Sequence, residues 1–430
     1  MEKKKPKILI VTVSAWNSKV GANTWTSLLD GWDSENVAHL CIRDEQPDSK
    51  IASRYFAISE NKVIKSVLKR GIKTGVEKYC LQESPAEASD DLSAHNERYK
   101  KMKKKRSRIM LMARELVWKF GKWHTKELDE FLDSVKPDII LHSMEGYIHL
   151  NRIILHAIKR TGAKAVGYIW DDNFTYKQSD EIGYKVYRYF QRKSLIKLAK
   201  HTSDFFAISE MTKRESDEFF GIDCKILTKP LSGMPVVEEK NVSTPMKMLY
   251  TGNLFIGRDR SLVRVVEAVK KLPEGSFVID VYTKTELSDE IKAKLDGNIC
   301  HIHAPIPQAQ VLEKQKQTDL LLFLEDMDGP DSRVARLSFS TKITDYLSAG
   351  KCIVAVGHKE TAPMQYFINN EMAVCAGNDD ELEEGLRRIC EDSRLLSEYA
   401  EKAAQIGVKN HDIELIKNTF NSVIQSVYEN

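Results

Sequence analysis

The 430-residue chain contains no apolar run near the roughly 20 residues that a membrane span requires. Its N-terminal run, Ile8 to Val13, is six residues long, shorter than the roughly 7 to 15 of a secretory signal core. The expectation is therefore a protein that neither crosses a membrane nor is exported. Seven cysteines (Cys41, Cys80, Cys224, Cys300, Cys352, Cys375, Cys390) are odd in number and scattered, with no Cys-x-x-Cys and no paired His spacing. That excludes a disulfide framework or a zinc finger and suggests reduced thiols in the cytoplasm. Charge of one sign is scarce too: 65 basic against 62 acidic residues leave +3, which excludes a globally basic nucleic-acid coat. There is no G-x-G-x-x-G, no G-x-x-x-x-G-K-[ST] and no G-x-S-x-G, so no dinucleotide fingerprint, P-loop or nucleophile elbow is indicated.

What is present is an ordinary globular composition, 42% apolar and 30% charged, on a chain too long for one core. Residues 1 to 236 carry 42 basic and 31 acidic groups, whereas the remainder carries 23 and 31, so the halves differ in sign. Lys7 to Val13 reads as a buried first strand feeding a loop and a helix. Asp138 to Leu141, Ala165 to Trp170 and Asp204 to Ile208 follow as strands, with helical periods such as Leu150 to Lys159 and Tyr187 to Ala199 between them. A Pro/Gly/Ser/Val-rich stretch, Leu231 to Pro245, reads as a linker, and beyond it strand and helix alternate again. Three helical segments, Asp379 to Glu391, Leu395 to Gln405 and Ile413 to Val427, close the chain. The fold class is α/β, with two doubly wound Rossmann-like domains facing across a cleft. The expected divisions are 1–235, 236–410, and a C-terminal helix, 411–430, that crosses back to the first domain.

Tyr99 to Trp123 holds ten Lys or Arg against one Glu115. Ile109, Met112, Leu116, Phe120 and Trp123 recur there at helical spacing, widened by Met110, Leu111 and Trp118. Such a basic amphipathic helix suits an anionic bilayer surface, with Lys103, Lys104, Lys105, Arg106, Trp118 and Trp123 as its contacts. Nucleic acid is the alternative for the cations alone; the apolar face favours lipid and a reading without nucleic acid.

In the second half, Tyr250-Thr251-Gly252-Asn253-Leu254 with Arg258 is a strand end, a Gly turn and an Arg before a helix. Backbone N–H groups there can approach a phosphate, although an ordinary βα turn has the same outline. Ser340 or Thr341 can cap a helix that Gly350 ends, with Lys342 and Asp345 on one face. Lys342 would hold a diphosphate and Asp345 a ribose diol; a solvated Lys–Asp pair is the plainer reading. Asp326-Met327-Asp328 reads as a D-x-D, but its late position makes it a solvated acidic loop, and no obligatory metal or cofactor is expected.

Leu198 to Arg214 with Phe220-Gly221-Ile222, the Thr251 to Arg258 turn and the Ser340 to Gly350 helix together resemble GT-B glycosyltransferases of the family 4 type, in order along nearly the whole chain. The resemblance implies transfer of a sugar from a nucleotide diphosphosugar (a UDP or GDP sugar), with retention, to a saccharide or lipid-linked acceptor. It implies a hexosyltransferase building surface polysaccharide, such as capsule or O-antigen, or glycolipid, at the inner face of a bacterial membrane. By position, Gly252, Asn253, Leu254, Ser340, Thr341 and Asp345 would bind donor, and Arg258 and Lys342 would be catalytic. The sequence departs from the family at Leu337, where a Glu is usual, and at Asn253, where an Arg is usual. A catalytically silent GT-B partner subunit or a nucleotide-sugar epimerase is the alternative. As contacts to acceptor or donor sugar stand Gly21 and Asn23 after the first strand, His142 and Glu145 after the Asp138 to Leu141 strand, and Asp171 and Asp172 after Trp170.

Overall fold

Ile8–Thr12 (β1) is aliphatic and β-branched and is buried at every position, as befits a strand covered on both faces. In the computed structural model, which describes residues 5–14, 24–47, 49–79, 108–237 and 242–430, it lies centrally in an eight-stranded sheet. The other strands are β2 (Val37–Cys41), β3 (Arg54–Ile58), β4 (Gly75–Tyr79), β5 (Ile139–Ser143), β6 (Lys164–Ile169), β7 (Asp204–Ala207) and β8 (Lys225–Ile226). Their order is β4-β3-β2-β1-β5-β6-β7-β8, and every pairing is parallel except β3 with β4.

A second, six-stranded sheet comprises β9 (Met246–Thr251), β10 (Phe277–Tyr282), β11 (Cys300–His303), β12 (Leu320–Leu324), β13 (Cys352–Val356) and β14 (Val374–Ala376). It is wholly parallel in the order β11-β10-β9-β12-β13-β14. Strand order thus reverses between β1 and β5 and again between β9 and β12. In open parallel sheets, ligands enter at the carboxyl ends of the strands flanking such a reversal.

The chain passes between the sheets twice. Leu231 N–H donates to the His411 carbonyl at 2.9 Å, so the two crossings are tied together. The His411 ring is buried between the Thr228 hydroxyl (2.9 Å) and the Tyr366 hydroxyl (2.8 Å), and burial pushes its pKa down to about 4. The final helix, Ile413–Glu429, packs on the first sheet, where Phe420 stacks on Phe206 at 6.0 Å and meets the edge of Trp25.

Lys103, Lys104, Lys105 and Arg106 lie outside the described residues, and the basic segment is described from the Arg108–Phe120 helix onward. One assignment there is corrected. Trp118 is fully buried and stacks on His149 at 4.4 Å, so it is a core residue and not a lipid contact. The helix is apolar on both sides, and the inward side also carries Glu115, which accepts from the His149 ring at 2.9 Å. Met110, Leu116 and Phe120 make up its exposed apolar side, and Trp123 is half-buried against His124 and His156.

Candidate functional site

The reversal point of the second sheet gathers side chains distant in sequence. β9 ends at Thr251 and the chain turns at Gly252, whose φ of +135° lies in the region that favours glycine. A Cβ there would stand 2.5 Å from the Lys342 ammonium, so the missing side chain is the space the lysine occupies. Lys342 opens the Lys342–Ala349 helix, which Gly350 closes at φ +64° as expected. Its Nζ donates to the Tyr250 hydroxyl at 2.8 Å and lies over the Tyr250 ring. Burial and the nearby Arg258 guanidinium push the Lys342 pKa down to about 7.

Arg258 begins the helix after the Gly252 turn and donates to the Leu324 carbonyl (3.1 Å) and to Glu325 Oε1 (2.8 Å). Glu325 directly follows β12 and is almost fully buried, and its Oε2 has no partner among the described residues. Two cations and one carboxylate thus sit at one strand reversal, where a diphosphate could take up the second cation's charge. Sequence reasoning missed Glu325, because only the adjacency of β9 and β12 brings it to the Gly252 turn, and it gave no role to Tyr250, whose hydroxyl accepts from Lys342.

The remaining donor-side candidates divide. Ser340 Oγ accepts from the Lys342 N–H at 3.4 Å, Thr341 is exposed, and the Asn253 carbonyl is held by the Tyr250 hydroxyl at 2.6 Å. Asp345 is held from the interdomain segment: the Lys229 ammonium (2.6 Å) and the Ser232 hydroxyl (3.0 Å) both donate to its Oδ1. Leu254 is corrected: its side chain is in the core and its N–H is occupied by Thr285 Oγ1 at 3.0 Å. Asp326 is corrected as well. It is buried, with its carboxylate taken by Arg260 (3.1 Å) and by the N–H groups of Asp331 and Ser332, so it anchors the Pro330–Val334 helix. Asp328 is the solvated member and pairs with Arg264 at 2.9 Å.

On the first sheet, Gly21 and Asn23 lie outside the described residues. Glu145 follows β5 at the reversal with β1 and accepts from the Ser143 hydroxyl at 2.9 Å. Burial pushes its pKa up to about 7, the Ser143 bond opposes this, and Asp171 adds to the rise. Arg43, after β2, donates to Ser14 at 2.9 Å and draws the Glu145 value down. Asp171 accepts from Ser338 of the second half, and burial raises its pKa. His142 is corrected from a loop to a strand residue: it is fully buried and its Nε2 meets Thr202 Oγ1 at 3.1 Å. Asp172 is likewise no open loop residue. Its carboxylate is buried, accepts from Thr175 N–H at 2.9 Å and pairs with Arg336 at 3.2 Å.

Arg336 also forms two bonds to Glu215, and Thr212 donates to the Leu337 carbonyl at 3.1 Å. The segment 330–338 of the second half thus sits directly on the first. Leu337 is fully buried with the apolar core of the first sheet, which explains why no carboxylate stands there.

No protein-family model matches the chain, and no curated protein matches it in sequence. Solved structures do. HepE of Anabaena in complex with UDP aligns with a TM-score of 0.63 at 11% identity, over 98% of this chain and 100% of that one. The UDP-forming α,α-trehalose-phosphate synthase of Burkholderia xenovorans, with glucose-6-phosphate, gives 0.56 at 9% identity, over 97% and 99%. A mutant O-GlcNAc transferase of Thermobaculum terrenum gives 0.54 at 11% identity, over 99% and 68%. These likenesses and the two sheets establish the fold as GT-B.

Proposed function

We propose that the protein is a glycosyltransferase that uses a nucleotide diphosphosugar. Donor binds at the β9/β12 reversal, and the acceptor meets it from the β1/β5 reversal across the cleft. The observation that carries this reading is the site at Gly252, where Lys342 and Arg258 converge on a glycine turn at the carboxyl end of β9. HepE, solved with UDP and with UDP-glucose, makes UDP the first base to test. The transfer is retaining. The C1–O bond to the diphosphate breaks, the acceptor oxygen bonds C1 on the same face, and the acceptor proton passes to the leaving phosphate oxygen. Lys342 and Arg258 stabilise the charge growing on that phosphate, Asp345 accepts from the ribose diol, and Glu145 and Asp171 orient acceptor hydroxyls. No metal is required, since the two cations take its place.

The test is a melting series with UDP, GDP, ADP and CMP without metal, followed by incubation with sugars of the stabilising base. One nucleoside diphosphate, UDP first, should raise the midpoint, and its sugar should be consumed only when an acceptor is present. Turnover of donor without acceptor would indicate an epimerase, and no stabilisation by any nucleotide a silent partner subunit.

The acceptor is membrane-associated, and the protein works peripherally at the inner face of the cell membrane. Supporting this, the basic helix exposes Met110, Leu116 and Phe120, and the Ile182–Ala199 helix packed against it exposes Ile182, Val186, Tyr189 and Phe190. Exposed Lys119, Lys185, Lys193 and Lys197 belong to the same two helices. No helix among the described residues is long and apolar enough to cross a membrane. Leu116→Ser with Phe120→Ser should weaken co-sedimentation with anionic vesicles at least about tenfold and leave the melting midpoint unchanged. Undiminished sedimentation would remove these helices from the membrane contact.

A further inference from the structure

A second group of titratable side chains lies in the first half, away from the cleft, and the function above does not use it. His124 stands in the turn after the basic helix, Asp129 in the first turn of the Lys126–Val135 helix, and His156 on the Ile148–Thr161 helix. Both imidazoles direct Nε2 at one carboxylate: His124 Nε2 is 3.2 and 3.1 Å from Asp129 Oδ1 and Oδ2, and His156 Nε2 is 2.7 Å from Oδ1. The two rings are only 4.1 Å apart. Trp123 lies beside them, with its ring 5.7 Å from His124 and 5.8 Å from His156.

We propose that His124, Asp129 and His156 form a binding site for a zinc-like divalent transition metal, completed by water, that staples the exit of the basic helix to the Ile148–Thr161 helix. A tetrahedral ion with bonds of 2.0–2.1 Å holds its ligand atoms about 3.3 Å apart; the His124–Asp129 distances are near this, the His156–Oδ1 contact would open by about 0.6 Å, and all three ligand atoms already lie within 4.8 Å of one another. Two imidazoles and one carboxylate are a donor set for Zn²⁺ or Co²⁺ and not for Mg²⁺, which takes oxygen. The residues come from three segments, so no spacing in the sequence announces the site. Asp280, His301 and His303, on the edge of the second sheet, form a looser group, with His301 3.7 Å from the Asp280 oxygen that His303 meets at 2.6 Å.

The experiment uses the untagged full chain, stripped with chelator and titrated separately with ZnCl₂, CoCl₂ and MgCl₂. About one equivalent of zinc should survive gel filtration and raise the melting midpoint by roughly 2 °C or more, while magnesium does neither. Cobalt should give the visible absorption of a four-coordinate ion. His124→Ala and His156→Ala, at positions exposed or partly so, should each weaken zinc binding more than about 100-fold. Asp280→Asn with His303→Ala should leave binding intact. Absence of zinc binding, binding that survives both histidine changes, or loss confined to the Asp280 variant would each overturn the proposal. None of these outcomes depends on donor turnover, so the test stands apart from the proposed activity.

Discussion

Replacing Lys342 by Met is expected to lower kcat/KM for the sugar donor by roughly 100- to 1,000-fold while leaving the unliganded protein folded. The ammonium is buried beside Arg258, with the Tyr250 hydroxyl as its hydrogen-bond acceptor. In the unliganded chain that charge is disfavoured, which is why its pKa falls from 10.5 to about 7. The sign of the linkage follows. Above pH 7 the folded chain binds fewer protons here than the unfolded chain, so stability at this site rises with pH from about 7 towards 10.5. Below pH 7 the full cost of the buried charge is present, and there Lys342→Met should melt higher than the natural chain, with the gap closing as pH rises.

A bound diphosphate reverses the balance, because its negative charge favours protonated Lys342. Donor binding should therefore take up a proton at alkaline pH, and affinity should fall by up to about tenfold per pH unit above 7. A nucleotide sugar is the right probe, since its two phosphates each keep one charge through this range. Calorimetry in two buffers of different ionisation enthalpy counts the proton. Donor affinity independent of pH from about 6.5 to 8.5 in the natural chain would separate Lys342 from the phosphates. In Lys342→Met the affinity should be weak and flat with pH.

How much of this was legible in sequence differs from element to element. A strand with a long aliphatic run, such as Ile8–Thr12, stood out because burial on both faces leaves no polar interruption. β2 and β3 escaped, since Val37–Cys41 carries His39 and Arg54–Ile58 carries Arg54, and their burial depends on neighbours in the sheet. The Gly252 turn and the helix ended by Gly350 were readable because each needs a backbone conformation that favours glycine. Glu325 was not, because neighbouring Asp326 and Asp328 form the more conspicuous pair and its role rests on Arg258, 67 positions earlier. Trp118 was misplaced because an amphipathic pattern gives no direction when both helix faces are apolar.

Arg336→Ala is expected to destabilise the protein by about 3–5 kcal/mol, because it leaves a buried carboxylate without its cation. The Asp172 side chain has no exposure and Arg336 has 10%. Arg336→Lys should recover little, since a point charge cannot reproduce the two bonds to Glu215 together with the one to Asp172. Adding Asp172→Asn to Arg336→Ala should restore part of the loss, because the unpaired charge is then gone. A loss below about 1 kcal/mol would mean that water replaces the guanidinium and that the contact does not clamp the two halves. The position of the clamp gives it a second consequence. Segment 330–338 runs between Asp326 at the end of β12 and the Lys342 helix, and it holds Ser338 on Asp171. Its seat on the first half therefore sets where Lys342 and Arg258 stand relative to Glu145 and Asp171. A loosened seat leaves the nucleotide contacts within the second half intact but misaligns sugar and acceptor, so Arg336→Ala should lower kcat far more than it weakens nucleotide binding.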